Sequence, residues 1–88
     1  MPYVTRQTRA DWASLVDILE HSALVNTAAP GEINYVVTKL LLAWLGPGPC
    51  YADYNAAIGV LECIKLELYR RAVVPYEEKK CSEAGDVY

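Results

Sequence analysis

The sequence predicts an all-α protein, a compact three-helix domain with a long C-terminal helix and a polar tail. The chain has 88 residues, of which 53% are hydrophobic, enough for one domain with a core and too few for two. Apolar side chains recur at helical spacing in three segments. A polar connector at 26–29 and a Gly-Pro-Gly-Pro run at 46–49 separate these segments. We therefore expect a single helical domain over residues 1–88.

The first predicted helix follows an extended arm over residues 1–7. Thr8 is the expected N-cap, and Asp11 in the first turn suits the helix dipole. Four apolar residues then recur at i, i+3, i+4 and i+7, which is the spacing of one helix face. They are Trp12, Leu15, Val16 and Leu19. We expect this helix to span residues 8–25.

The second predicted helix, residues 30–45, is apolar nearly all round. Pro30 opens it at a position where the missing N–H costs nothing, and Gly46 begins the run that ends it. Such a helix must be covered on several sides, so we expect a homo-oligomer. The face expected in the core comprises Val37, Leu40, Leu41 and Trp44. The face expected at the oligomer interface comprises Tyr35, Thr38, Leu42 and Leu45.

The third predicted helix spans residues 51–74 and ends because of Pro75. A short turn and a polar tail are expected over residues 76–88. Gly59 lies in mid-helix at a cost of about 1 kcal/mol relative to Ala, which either the close approach of a helix or a ligand or a tolerated drift of the sequence would explain. The expected core side comprises Tyr54, Ala57, Leu61, Ile64, Leu68 and Ala72.

Polar and aromatic residues beside that core side form a candidate ligand site. Some of them follow one shoulder of the third helix, and others form a basic cluster at its end, where Arg forks bind phosphates and Tyr rings stack on bases. The candidate ligand-binding residues are Tyr51, Asn55, Glu62, Lys65, Tyr69, Arg70, Arg71, Tyr76 and Lys79. The alternative is a partly solvated flank in which Glu62 pairs with Lys65, followed by a solvated helix end.

The charge balance excludes a protein that coats duplex nucleic acid. Eight basic and 11 acidic residues give a formal net charge of −3, so the excess of Lys and Arg typical of such proteins is missing. Any anionic ligand should therefore be small. The N-terminus lacks a signal peptide pattern, and no apolar run approaches the roughly 20 residues of a membrane span. We expect a protein of the cytoplasm.

Signatures of catalysis, metals and cofactors are missing. His21 has no nucleophile motif around it, and no glycine-rich phosphate loop occurs. Cys50, Cys63 and Cys81 are an odd set at wide spacing, which fits neither a zinc site nor a disulfide framework. Cys63 is expected to be a small packing residue of the third helix. We predict a protein that is not an enzyme and that needs neither a metal nor a cofactor.

From Asn34 onward the sequence shows a series of specific blocks. They are NYVVTKLLL from Asn34, YADYN from Tyr51, GVLECIKLELYRR from Gly59, VPYEEKK from Val74 and GDVY from Gly85. In these blocks the chain resembles a family of small proteins of tailed bacteriophages and prophages, for which no activity is known. The resemblance implies a phage accessory protein that acts in the host cytoplasm, a setting in which inhibitors of host defence occur. It implies no catalytic residues.

Three functions are compatible with this pattern. The first is a non-enzymatic inhibitor of host antiviral defence that binds a host protein, for which an acidic helical surface is suited. The second is an oligomeric sponge that sequesters a signalling nucleotide at the candidate ligand site. The third is a structural or regulatory phage protein without a role in defence.

Overall fold

A computed structural model describes residues 2–88, and this part of the chain is helical without a strand. The all-α class and the long C-terminal helix are thereby confirmed. The chain divides into two compact units, residues 2–49 and residues 50–88, so the single domain remains a prediction. The elements are α1 (Arg6–His21), α2 (Ala23–Asn26), α3 (Pro30–Leu45), α4 (Tyr51–Leu68), a π-helical turn (Tyr69–Val73) and α5 (Val74–Ala84).

Helix α1 begins earlier than the sequence predicts. Thr5 rather than Thr8 is the N-cap, because the Thr5 hydroxyl oxygen accepts a hydrogen bond from the Thr8 backbone N–H at 3.1 Å. Asp11 lies beyond the first turn, where its carboxylate accepts a hydrogen bond from the Gln7 side chain at 3.1 Å. The predicted arm over residues 1–7 is therefore reduced to residues 2–5, and Met1 lies outside the described residues.

The predicted helix over residues 8–25 is broken at Ser22. This residue has an extended backbone, with φ −81° and ψ 121°, and its hydroxyl accepts a hydrogen bond from the Val25 N–H at 3.4 Å. Serine competes in this way for backbone groups, so it ends one helix and caps the next. His21 closes α1, with Nδ1 2.9 Å from the backbone carbonyl oxygen of Asp17.

Helix α3 has the bounds that the sequence predicts. Pro30 stands at its start, and the Glu32 carboxylate accepts a hydrogen bond from the Ala29 N–H at 2.6 Å. Gly46 ends the helix with φ 65°, a left-handed conformation that favours glycine, and its N–H donates to the Leu42 carbonyl at 3.1 Å. The apolar sequence thus forms one regular helix between two defined ends.

The faces of α3 differ from the prediction. Val37, Leu41 and Leu45 are half-buried and follow one line at i, i+4 and i+8. Leu40 and Trp44 are exposed, although the sequence predicts them in the core. Leu45 is half-buried, although the sequence predicts it at the oligomer interface. The physical reason is that only this one narrow line of the helix is covered within the chain.

The predicted end of the third helix at residue 74 is wrong, because α4, the π-helical turn and α5 continue as one helix to Ala84. The Val74 N–H bonds the Tyr69 carbonyl, five residues back, which defines the wider turn. Pro75 follows directly. A proline in a regular α-helix clashes with the carbonyl four residues earlier, and the wider turn accommodates it. The predicted turn and tail over residues 76–88 are reduced to a tail over residues 85–88.

A common apolar core is largely missing from the described residues. Ala57 is the only buried one among residues 2–88, and Leu61 is half-buried. The rest of the expected core side of the third helix is exposed, and so is Cys63, which was expected to pack. Within residues 50–88 the elements in contact follow one another along the same helix, so this unit has no second helix of its own to cover these side chains. No helix of residues 2–88 is both long and apolar enough to cross a membrane.

Candidate functional site

One face of the long helix carries five of the predicted ligand residues. Because a helix turns by 100° per residue, residues spaced by three, four or seven positions lie along one side. This side is about 27 Å long over the length of α4. We call it the α4 shoulder, and it comprises Tyr51, Asn55, Ile58, Glu62, Lys65, Leu66 and Tyr69.

Large side chains on the α4 shoulder are open to solvent. Tyr51 is 82% exposed, Ile58 65%, Leu66 58% and Tyr69 49%. Apolar residues exposed singly are ordinary, but here four large side chains lie along one helix face with Asn55, Glu62 and Lys65 between them. The shoulder therefore combines aromatic and aliphatic contact area with polar groups at the same face.

The two charges of the α4 shoulder pair with each other. Lys65 Nζ lies 3.0 Å from Glu62 Oε1, and both side chains are exposed. An exposed pair at i, i+3 contributes about 0.2–1 kcal/mol, so a partner could displace it at little cost. The alternative to a ligand site is a partly solvated flank in which Glu62 pairs with Lys65, and this ion pair is present.

The basic residues at the end of α4 are held by a carboxylate. Arg70 Nη2 lies 2.8 Å from Glu67 Oε1, and Arg71 Nη1 lies 3.9 Å from the same oxygen. The Glu67 side chain is half-buried although the helix around it is open. One carboxylate therefore lies between two guanidinium groups and offsets part of their positive charge.

A groove opens beside the π-helical turn and brings three predicted ligand residues together. Lys65, Tyr69 and Arg70 line it, and its volume is about 630 Å³. Leu66, Glu67 and Val74 complete the lining. The remaining predicted ligand residues do not line this groove. They are Tyr51, Asn55, Glu62, Arg71, Tyr76 and Lys79.

Tyr69 bonds across the π-helical turn. Its hydroxyl donates to Glu77 Oε1 at 3.2 Å, which connects α4 to α5. The negative charge of Glu77, together with this hydrogen bond, raises the pKa of Tyr69 above its ordinary value. Sequence analysis missed Glu77 because the helix was expected to end before it. No spacing in the sequence signals this contact, because residues eight positions apart lie about 12 Å apart along a helix and only pairs at i, i+3 and i, i+4 are neighbours.

Three of the four predicted oligomer-interface residues are exposed. They are Tyr35, Thr38 and Leu42, whereas Leu45 belongs to the half-buried line of α3. Two of them already have local partners. The Lys39 ammonium lies 5.8 Å from the centre of the Tyr35 ring, and the Thr38 hydroxyl donates to Asn34 Oδ1 at 3.1 Å.

Metal-ligating side chains are scattered over the described residues. Between residues 2 and 88, no three His, Cys, Asp or Glu side chains are grouped so that they could hold a metal ion. The three cysteines are free thiols on exposed residues. The arrangement that stands out chemically is therefore the exposed row on α4 and the groove at its end.

Comparison with known proteins gives one family. No curated protein and no solved structure matches the chain. A family model described as a domain of unknown function matches residues 1–87, which is nearly the whole sequence. The chain therefore belongs to the DUF6899 family.

Proposed function

We propose that the protein is a non-enzymatic phage accessory protein that inhibits host antiviral defence by binding a host protein. It acts in the host cytoplasm as a homo-oligomer, and the α4 shoulder is its contact surface for the host protein. The observation that carries this proposal is the row of four large side chains exposed along one face of α4. The phage setting comes from the sequence blocks described above.

The chemistry of the α4 shoulder suits a protein partner. Interfaces between separately folded proteins are about as apolar as the rest of the surface and are enriched in aromatic residues. Tyr51 and Tyr69 supply such rings at the two ends of the shoulder, and Ile58 and Leu66 supply aliphatic anchors between them. Aromatic rings bury about 150–250 Å² each, so this row provides substantial contact area.

The charge of the protein favours a basic partner. The formal net charge of the chain is −3, whereas the two charges of the α4 shoulder itself, Glu62 and Lys65, cancel each other. A net negative charge attracts a basic groove, raises the rate of encounter and makes that rate sensitive to salt. We therefore propose that the partner presents a basic surface, such as the nucleic-acid-binding groove of a defence protein.

Capture from host lysate with two matched variants tests the contact surface. Leu66 lies on the α4 shoulder and Leu68 on the opposite side of the same helix, and they are 58% and 61% exposed. We expect the wild type and Leu68→Asp to retain one host protein in stoichiometric amount. We expect Leu66→Asp to lose it, because a carboxylate would be buried without a partner. Retention of that protein by Leu66→Asp, or loss by both variants, would contradict the assignment.

The role in defence is tested by infection. A phage without the gene should plate poorly on a host that carries the defence system and normally on a host that lacks it. Complementation by the wild type, but not by Leu66→Asp, should restore plating on the first host. An equal defect on both hosts would favour a structural or regulatory role in the phage instead.

The groove beside the π-helical turn supports a second candidate, the sequestration of a signalling nucleotide. Lys65, Tyr69 and Arg70 offer an ammonium, a phenol and a guanidinium around one cavity. Tyr69 and Arg70 are already bonded to Glu77 and Glu67, so a phosphate would have to compete with these two carboxylates, whereas the exposed Glu62–Lys65 pair is easily displaced. This internal pairing makes protein binding the better supported function.

Calorimetry with cyclic and linear nucleotides decides the second candidate. Arg70 lines the groove, whereas its neighbour Arg71 does not, so Arg71→Ala is the matched control. A nucleotide held in the groove should lose at least tenfold in affinity with Arg70→Ala and change little with Arg71→Ala. The same heats for the wild type and Arg70→Ala would reject the groove as a nucleotide site.

A further inference from the structure

Helix α3 carries a second exposed surface, and it differs from the interface that the sequence predicts. Ile33, Val36, Leu40 and Trp44 are all exposed. They follow one another at i, i+3, i+7 and i+11, so they lie on one side of the helix, within about 80° of its circumference. We call these four residues the α3 stripe. It contains no charged side chain, and its one polar group is the indole N–H of Trp44.

From this surface we infer that a second copy of the chain docks on the α3 stripe and forms a helix-to-helix seam. The inference rests on the proposed function, since it names the surface through which the homo-oligomer assembles. It also replaces the predicted interface face of Tyr35, Thr38 and Leu42. On that face the ring of Tyr35 already contacts the Lys39 ammonium, and Thr38 already bonds Asn34.

The charges of α3 favour another copy of the same chain. The helix has one acidic residue, Glu32, and one basic residue, Lys39, which cancel. Glu32 is occupied at the N-terminus by the Ala29 N–H, and Lys39 lies over Tyr35. The whole chain carries a net charge of −3, so two copies repel each other over most of their surface. Two copies can approach each other at α3 because this helix carries no net charge.

The area of the α3 stripe is about half of what a dimer needs. Covering four large side chains that are about half exposed removes on the order of 400 Å² of apolar surface per copy. A stable interface buries about 600–1,000 Å² per partner. The stripe thus supplies about half of such an interface, and the residues beside it extend the contact along a helix about 24 Å long.

A second copy of the chain explains better than a transiently bound partner why α3 is folded. A helix of 16 residues is marginal in water unless its apolar face is covered. That cover must be present whenever the protein is folded, and another copy of the chain is present wherever the protein is made. Permanent interfaces are also the more hydrophobic ones, which matches a stripe without a charged side chain.

Two leucines of α3 provide the test. Leu40 lies in the stripe and Leu42 on the opposite side, and they are 58% and 56% exposed. Sedimentation velocity over a range of concentrations measures self-association of the wild type, Leu40→Glu and Leu42→Glu. We expect the wild type to associate at micromolar concentration, Leu40→Glu to weaken association at least 100-fold, and Leu42→Glu to change it less than threefold. Because Leu40→Glu could lose its helix altogether, Leu40→Ala is measured as well. Alanine preserves helix propensity, so this variant should stay helical at high concentration and associate about tenfold or more weakly.

The outcomes separate this inference from the proposed function. An oligomeric wild type that Leu40→Glu and Leu40→Ala leave intact would overturn the α3 seam while the homo-oligomer stands. Dissociation by Leu42→Glu alone would move the seam to the face that the sequence predicts and would also overturn it. A wild type that is monomeric at 100 μM would reject both the seam and the homo-oligomer. Binding of the host protein is measured separately, through Leu66→Asp.

Discussion

The α3 stripe and the α4 shoulder are both exposed helix faces, but their chemistry is opposite. The stripe is apolar except for the indole N–H of Trp44 and lies on a helix whose charges cancel. The shoulder mixes Tyr rings and aliphatic side chains with the Glu62–Lys65 ion pair. Exposure alone therefore does not define what a surface binds. A uniform apolar stripe suits permanent contact with another copy, and a mixed surface suits a partner that comes and goes.

The two surfaces also differ in how their helices are held. Helix α3 has a defined start at Pro30 and a glycine end at Gly46, and its half-buried line gives it some cover. The long helix continues through a π-helical turn and a proline to Ala84, with Ala57 as its buried residue. Changes in α3 should therefore act on assembly, and changes in the long helix should act on helix stability and on partner binding.

The largest expected effect is that a substitution on either surface impairs the binding made by that surface and leaves the binding made by the other unchanged. Ile58→Asp on the shoulder should weaken binding of the host protein at least 100-fold, because it places a carboxylate in an apolar contact. It should change self-association less than threefold. Trp44→Ala on the stripe should weaken self-association at least tenfold and leave the shoulder intact. Sedimentation and capture assays on both variants would contradict the division if either variant impaired both properties equally.

Pro75→Ala sharpens the account of the long helix. Proline in a regular helix interior costs about 3 kcal/mol relative to alanine, and the π-helical turn relieves part of that cost. We expect the variant to gain helicity and to raise the free energy of unfolding by less than about 3 kcal/mol. Circular dichroism at 222 nm during thermal unfolding measures both quantities. A loss of helicity would show that the π-helical turn has another cause.

Gly59→Ala should give a smaller gain. A Cβ atom at this position would meet nothing within 4 Å in the chain, so the variant should gain about 1 kcal/mol from helix propensity. The close approach that the sequence allowed for is therefore not made within the chain itself. Urea unfolding measures the gain. A destabilised variant would indicate that a partner approaches the helix at Gly59.

The smallest expected effect is a pH dependence of helix stability at the start of α4. The Asp53 carboxylate accepts a hydrogen bond from the Cys50 N–H at 2.9 Å, and this bond lowers the pKa of Asp53 below its ordinary value. A lowered pKa stabilises the folded helix at pH values above the unfolded value, and that contribution is lost as the pH falls through the folded value. Asp53→Asn removes the titration. Its helicity should fall less than that of the wild type between pH 4 and pH 2, and an identical fall would exclude the contribution of Asp53.

The sequence predicts the helical class and the two ends of α3, because Pro30 and Gly46 are strong local signals. It does not predict the path past Pro75, since the π-helical turn depends on the hydrogen bond from Val74 to Tyr69 rather than on a residue type. It places the shoulder residues on one face because helical periodicity fixes that relation. It predicts less well which faces of α3 are buried. Apolar residues occur on all sides of this helix, so their spacing does not distinguish a buried face from an exposed one.

Thermal unfolding at two protein concentrations tests most directly whether the exposed α3 stripe is covered by another copy. Folding that is coupled to association makes the Tm depend on protein concentration by mass action. The wild type, followed at 222 nm at 1 μM and at 100 μM, should unfold several degrees higher at the higher concentration, and Leu40→Ala should unfold lower than the wild type at both. A wild-type Tm that stays constant over this hundredfold range would contradict the account.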